Sequence, residues 1–172
     1  MKVFGLAGYS GSGKTTLMVQ LLPLIVGQGL TVSTIKHAHH AFDVDQPGKD
    51  SYEHRDAGAT EVMVSSAKRW ALMHEHRAQP EADLNDLLRR MSPVDLVLVE
   101  GFKRARHDKI EIVRGDDAQP NLCHTDPHVV ALASDRPWPD VNCPVLSIDD
   151  PDAIAAFVLS HCGFAPAPVP DS

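Results

Sequence analysis

The chain is short of cysteine, of long apolar runs and of basic charge, and each shortage removes a class of protein. Its three cysteines, Cys123, Cys143 and Cys162, are odd in number and far apart, with no C-x-x-C pair in 172 residues. That excludes a disulfide-stapled scaffold and fits reduced thiols in a cytoplasmic protein. No apolar stretch approaches the ~18 residues of a spanning helix. A single Lys2 ahead of Val3-Phe4 is not a secretory signal, so no membrane segment is expected. Lys and Arg number 16 against 23 Asp and Glu, a formal charge of −7. The deficit is uneven: residues 1–110 carry 14 basic and 13 acidic side chains, residues 111–172 only 2 against 10. No basic face for nucleic acid is available, which argues against helicases and other strand-handling ATPases. The acidic C-terminal third reads as solvated surface that can also orient a protein partner.

Against these absences stands one dense motif. Residues Gly8-Tyr9-Ser10-Gly11-Ser12-Gly13-Lys14-Thr15 match the phosphate-loop pattern Gly-x-x-x-x-Gly-Lys-Ser/Thr without a mismatch. The motif follows the apolar run Val3 to Ala7 and precedes the helical run from Thr16, so a strand ends, the backbone wraps an anion, and a helix starts with its N–H groups aimed at it. Glycines let the backbone close around phosphate with no side chain between. Lys14 is placed to reach the β- and γ-phosphates and the Thr15 hydroxyl to sit on Mg²⁺.

Short apolar runs alternate with amphipathic ones, the pattern of an α/β fold: a mainly parallel twisted sheet flanked by helices, with one antiparallel hairpin. Strands are expected at Val3–Ala7, Leu30–Lys36, Val94–Val99, Ile110–Val113, Val129–Ala133 and Val145–Ile148. Glu61–Ser66 and Trp70–His74, joined through Ala67-Lys68-Arg69, read as the hairpin. Helices are expected over Lys14–Gln28, bent by Pro23, from Asp50 as N-cap to near Gly58, over Pro80–Met91, and over Pro151–Ser160. One nucleotide-binding domain over residues 1–163 is expected, followed by a disordered proline-rich tail, 164–172.

Four further features carry candidate chemistry. The strand Leu96-Val97-Leu98-Val99 ends in Glu100, a carboxylate at the C-terminal edge where ligands of open α/β sheets gather. There it can hold a Mg²⁺-bound water or orient the water that attacks a γ-phosphate. The loop Asp43-Val44-Asp45-Gln46-Pro47-Gly48-Lys49-Asp50 is a candidate switch region: Asp43, Asp45 and Asp50 are possible Mg²⁺ ligands, and Lys49 and Arg55 possible neutralisers of developing charge. It reads equally as a polar loop in which Asp50 caps a helix. The run Lys36-His37-Ala38-His39-His40 allows a transition-metal site, a phosphate-side or substrate-side contact, or a solvated loop. No Asn-Lys-x-Asp guanine tetrad is present; Asp135, just beyond a late strand, is the candidate base reader, or simply begins the turn before Pro137.

From about residue 2 to residue 160 the chain resembles the MobB family of molybdopterin-guanine dinucleotide biosynthesis adaptors. The resemblance rests on the phosphate loop, Ile35–His40, Asp43-Val44-Asp45, Pro47–Glu53, Ala57-Gly58-Ala59, Arg69–Met73, Leu98–Lys103 and Ala131–Asp135. It implies a GTP-binding homodimer with slow hydrolysis that assists the nucleotidyltransferase MobA and helps pass the finished cofactor to molybdenum-insertion proteins. Carried onto matching positions, Ser10, Gly11, Ser12, Gly13, Lys14, Thr15 and Thr16 hold phosphate and Mg²⁺, with Glu100 and Asp50 nearby as the catalytic candidates. The metal-side set Thr15, Glu100 and Asp45, and Asp135 on the base side, rest on the residues' own positions rather than on the resemblance. The Trp70 hairpin would offer a sheet edge to a second protomer. Two other readings stay open: an ATP-dependent small-molecule kinase, and a metallochaperone GTPase using His37, His39 and His40.

Overall fold

The computed structural model describes residues 1–38, 42–115 and 122–165. His39 and His40 of the histidine run, and the proline-rich tail from residue 166 onward, lie outside them. The chain divides into two compact units, Met1–His37 with Ser92–Ser172, and Ala38–Met91.

The first unit is built on β1 (Lys2–Ala7), α1 (Lys14–Val26), β2 (Val32–Lys36), a third long strand at Leu96–Glu100, and the segments that follow it. In chain order, β3 (Glu61–Ser65) and β4 (Trp70–His74) belong to the second unit. The strand Leu96–Glu100 is therefore β5, followed by β6 (Lys109–Val113), β7 (Val129–Ser134) and β8 (Val145–Ser147). The sheet runs β2-β5-β1-β6-β7-β8, every pairing parallel. Continuous apolar runs make such strands because both faces are covered; β5 is buried at all five positions. The order reverses at β1, so the crevice at its C-terminal end is where a ligand is expected in an open α/β sheet.

Helix α1 and the last helix, α4 (Pro151–His161), pack together over one face. Leu17, Leu21 and Ile25 join Ile154 and Val158 against Phe4, Leu6, Leu98 and Ile112. Each such side chain contributes roughly 1.5–3 kcal/mol by leaving water. Asp150 caps α4 by accepting from the Ala153 amide at 3.0 Å, with Pro151 opening the helix.

The other face of the sheet is unlike the first. Strand alternation puts Lys109, Glu111 and Val113 on it, yet Lys109 and Glu111 are fully buried. Lys109 Nζ donates to Asp126 at 2.7 Å and to the Ala105 carbonyl at 3.1 Å. Glu111 accepts from the Leu122 and Cys123 amides, both at 2.8 Å. The connection from β5 to β6 packs on β1 here: the Gly5 amide donates to the Asp108 carbonyl at 2.9 Å. A Cβ on Gly5 would run into His107 Nε2 and come within 2.9 Å of Lys109 Cβ. Glycine in mid-strand thus marks the close approach of another backbone segment.

The second unit holds α2 (Asp50–Asp56), the β3–β4 hairpin and α3 (Leu84–Arg90). Two expectations shift here. Asp50 is the first helical residue, not the N-cap, which is Lys49 and makes no side-chain cap bond. The helix expected from Pro80 starts only at Leu84, because Asp83 and Asp86 form a reciprocal capping box. The hairpin pairs Met63 with Leu72 and Ser65 with Trp70, and leaves Met63, Trp70 and Leu72 exposed on one face.

Candidate phosphate-binding site

Between β1 and α1 the backbone makes the turn that the motif requires. Gly11 and Gly13 have φ of 79° and 95°, and Gly13, left-handed, is the N-cap of α1. A side chain there would be strained; with glycine, successive N–H groups face one concavity. At Gly8 space decides: a Cβ would approach the Ile112 carbonyl oxygen to 2.6 Å and Ser12 Oγ to 2.8 Å. Ser12 is buried, and its hydroxyl has no hydrogen-bond partner among the described residues. A buried, unpaired donor in an N–H-lined loop suits an anion.

Lys14 folds back over the loop, its Nζ donating to the Tyr9 carbonyl at 2.5 Å. Its pKa lies below the ordinary lysine value: burial strips solvent from the ammonium, and Lys103 and Lys36 add repulsion that Glu100 only partly offsets. Three ammonium groups around one carboxylate leave an excess of positive charge, which a polyphosphate would neutralise.

Glu100 stands opposite. Leu6 of β1 and Lys36 of β2 both pair in register with it, so three strand ends meet at one carboxylate. The side chain is buried; Oε1 accepts from Thr15 Oγ1 at 2.8 Å and lies 3.3 Å from Lys36 Nζ. Lys36 also reaches Thr15 Oγ1 at 3.3 Å. A hydroxyl and a carboxylate side by side, already facing a cation, form the hard-oxygen donor set that Mg²⁺ takes. Next to them the His37 ring lies against Phe102, with centroids 4.6 Å apart.

Ser10, Gly11, Thr15 and Thr16 are exposed on the loop and the first helical turn, with Gly13 and Lys14 half-buried. Asp135 is exposed just past β7, where Oδ2 accepts from the Gly115 amide at 3.0 Å. It lines a cleft of about 660 Å³ between the ends of β7 and β8. In that cleft the Arg136 guanidinium lies 4.7 Å from the Trp138 ring centroid, and the indole donates to Ser134 Oγ at 2.8 Å.

Asp45 and Asp50 belong to the second unit. Asp45 Oδ1 accepts from Ser51 Oγ at 2.9 Å, while its Oδ2 is buried without a partner among the described residues. Asp50 is exposed at the start of α2. Arg55 is held by two carboxylates, Asp43 at 2.6 Å and Glu75 at 3.4 Å. The hydrogen bond from Arg55 holds the Asp43 carboxyl below its usual range.

The family model for molybdopterin guanine dinucleotide synthesis protein B, MobB, matches residues 3–135. The chain belongs to the MobB family. It is 46% identical over 156 residues to the molybdopterin-guanine dinucleotide biosynthesis adapter protein of Escherichia coli strain K12, covering 89% of each chain. Its identity to the Haemophilus influenzae protein of the same name is 38%, covering 91% of this chain and 86% of that one. In three dimensions it resembles a crystallised MobB homolog from Bacillus stearothermophilus with a TM-score of 0.71 at 27% identity, over 95% of this chain and 99% of that one. Both the α/β class and the hairpin expected from the sequence are present. Among the described residues no helix is long and apolar enough to cross a membrane.

Lys36, in the run that reads among other options as a phosphate-side contact, is a direct neighbour of Thr15 and Glu100, whereas Lys103, a cation near Lys14, carries no such signal in the sequence. Position alone marks Lys103, three residues after Glu100, while Lys36 ends β2.

Proposed function

We propose that this chain is a GTP-binding adaptor in molybdopterin guanine dinucleotide biosynthesis, acting in the cytoplasm as a homodimer beside a MobA-type nucleotidyltransferase. The observation that carries the reading is the Thr15–Glu100 contact across the mouth of a complete phosphate loop. The family match and the relatives' names support the pathway.

In this reading the loop amides from Ser10 to Thr16 and the Lys14 ammonium bind the β- and γ-phosphates. Thr15 and Glu100 hold Mg²⁺; the ion offsets phosphate charge as a Lewis acid. Glu100 orients the attacking water. Arg55, already committed to Asp43 and Glu75, supplies no arginine finger in this arrangement. Turnover is then slow, since such a finger accounts for about 10³–10⁵ in rate where one is present. Asp135, at the edge of its cleft, accepts from guanine N–H groups, and the exposed Met63, Trp70 and Leu72 face serves the dimer.

The test is calorimetric titration with Mg-GTP and Mg-ATP on the wild type and on Lys14→Ala, followed by capture of the nucleotidyltransferase with and without a non-hydrolysable GTP analogue. GTP preferred over ATP, binding abolished by Lys14→Ala, and nucleotide-dependent capture are expected. Equal affinity of Lys14→Ala for GTP ends the site assignment; capture indifferent to nucleotide ends the adaptor reading.

A further inference from the structure

The segment joining β5 to β6 carries Lys103, already close enough to act on Lys14, and two arginines that the nucleotide site leaves unused. The chain leaves β5 through two consecutive left-handed residues, Gly101 at φ 96° and Phe102 at φ 48°. A bulky residue adopts that conformation only where its surroundings enforce it. Here the His37 ring backs Phe102, whose carbonyl accepts from the Ala105 amide at 2.9 Å, and a Cβ at Gly101 would meet His37 Cβ at 2.9 Å. The bend carries residues 103–106 past the phosphate loop. Lys103 Nζ lies 4.2 Å from the centroid of the Tyr9 ring.

Beyond it opens a cleft of about 750 Å³, whose lining includes Tyr9, Lys103, Arg104, Arg106, Asp126 and His128. That volume falls within the ~300–1,000 Å³ of small-molecule sites. Its charge is unbalanced. Arg104 and Arg106 are exposed and form no ion pair with any described residue. The one carboxylate among the described lining residues, Asp126, is engaged by buried Lys109 at 2.7 Å, and His128 faces Asp108 at 3.1 Å. Two guanidinium groups and an ammonium thus converge on a concave surface in a chain of net charge −7. The concavity and the overall negative charge favour a small anion over a nucleic acid.

We propose that this cleft is a second ligand site, which takes the phosphomonoester of a small heterocyclic molecule beside the bound nucleotide. Arg104 and Arg106 grip the phosphate as fork donors, and Tyr9 and Leu122 wall the ring. Tyr9 joins the two sites, since its carbonyl also receives Lys14. Taking that molecule to be a pterin phosphate rests on the function proposed above; the cleft itself does not.

The test titrates a pterin phosphomonoester, the same pterin without phosphate, and inorganic phosphate onto the full chain saturated with a non-hydrolysable GTP analogue. The ester is expected to bind, with both fragments at least tenfold weaker. In the double variant Arg104→Gln, Arg106→Gln the ester should lose about tenfold or more and much of its salt dependence, with Mg-GTP affinity unchanged. Absence of ester binding, an unchanged affinity in the double variant, or inorganic phosphate binding as well as the ester overturns the proposal. The same titration on Lys14→Ala without nucleotide separates the two readings. Normal GTP binding by that variant would sink the nucleotide site alone, whereas the arginine-dependent ester binding judges this one.

Discussion

Thr15 and Glu100 stand 85 residues apart in sequence, yet the Thr15 hydroxyl donates to Glu100 Oε1 at 2.8 Å. The contact exists because β1 and β5 are parallel neighbours with Leu6 opposite Glu100, so the loop after one strand and the last residue of the other share an edge. Glu100 also attracts Lys36 and acts on Lys14. It is the counter-charge of the site, and in the proposed function it is also an oxygen donor for the metal; one substitution separates those roles.

In Glu100→Gln the shape is kept and the charge is lost. Measured in EDTA, GTP should bind this variant at least as tightly as the wild type, because one negative charge near the phosphates has gone. With Mg²⁺ present, the gain in affinity that the metal brings should shrink by about 10–100-fold, and hydrolysis should fall by roughly 10²-fold or more. Calorimetry and a phosphate-release assay read the two effects. An unchanged magnesium dependence would remove Glu100 from the metal site.

The crossover on β1 predicts a stability effect at a residue with no side chain. Gly5→Ala adds a methyl where His107 and Lys109 Cβ already sit, and overpacking of this kind costs about 1–3 kcal/mol. Urea unfolding should show it as a lower midpoint. The double variant with His107→Ala should recover part of the loss, because the His107 ring is one of the two groups displaced. No recovery would mean that Lys109 and the backbone alone set the cost.

Much of this fold is written in local pattern, and the site's most local parts are equally plain. The phosphate loop needs only eight consecutive residues, and Glu100 needs only an apolar run that stops at a carboxylate. Lys109 and Glu111 show where pattern runs out. In Lys109-Ile110-Glu111-Ile112-Val113 the alternation describes a strand with one wet face, but both charged residues are buried because Asp126 and the Leu122 and Cys123 amides come from another segment to meet them. Gly5 is silent for the same reason: the segment that demands it lies a hundred residues later. Asp50 stands one place inside α2, behind an N-cap Lys49 that makes no side-chain cap bond, and α3 starts at Leu84 because the Asp83–Asp86 capping box sets its first turn. The cleft beside Tyr9 was invisible, because it depends on a left-handed bend at Phe102 that no propensity announces.

His107 gives the fold a pH dependence of known sign. Burial, reinforced by Lys109, lowers its pKa from 6.5 to about 4, and neither ring nitrogen has a partner among the described residues. The unfolded chain therefore takes up a proton that the folded chain refuses. Stability should be highest above about pH 6.5 and decline as the pH falls from there towards about 4. Asp108 and Asp126 are held below 3.8, each because hydrogen bonds outweigh a burial penalty, so their contribution is lost only at lower pH. Urea titrations between pH 7 and 4.5 should show the decline in the wild type and a flatter profile in His107→Gln. Parallel profiles would assign the effect elsewhere.

The buried pair beneath the crossover should respond asymmetrically to losing either member. Lys109 is fully enclosed, while the Asp126 side chain keeps about a fifth of its surface in solvent, at 20% exposure. Asp126→Asn keeps an oxygen to accept from the His128 amide, now at 2.9 Å, but puts an NH2 group where Oδ2 accepts from Lys109, so the ammonium loses both its acceptor there and its negative partner. Uncompensated buried charge of this kind costs about 3–5 kcal/mol. Lys109→Met removes the ammonium and fills its channel with a side chain of similar length, leaving a carboxylate that already reaches water, so the loss should be clearly smaller. Because the pair also ties the Leu122–His128 segment to the β5–β6 connection, Asp126→Asn should raise amide exchange at residues 103–108 beyond its effect on α1. Equal destabilisation by both substitutions would mean that the pair acts by packing, and that its charge contributes little to holding the crossover in place.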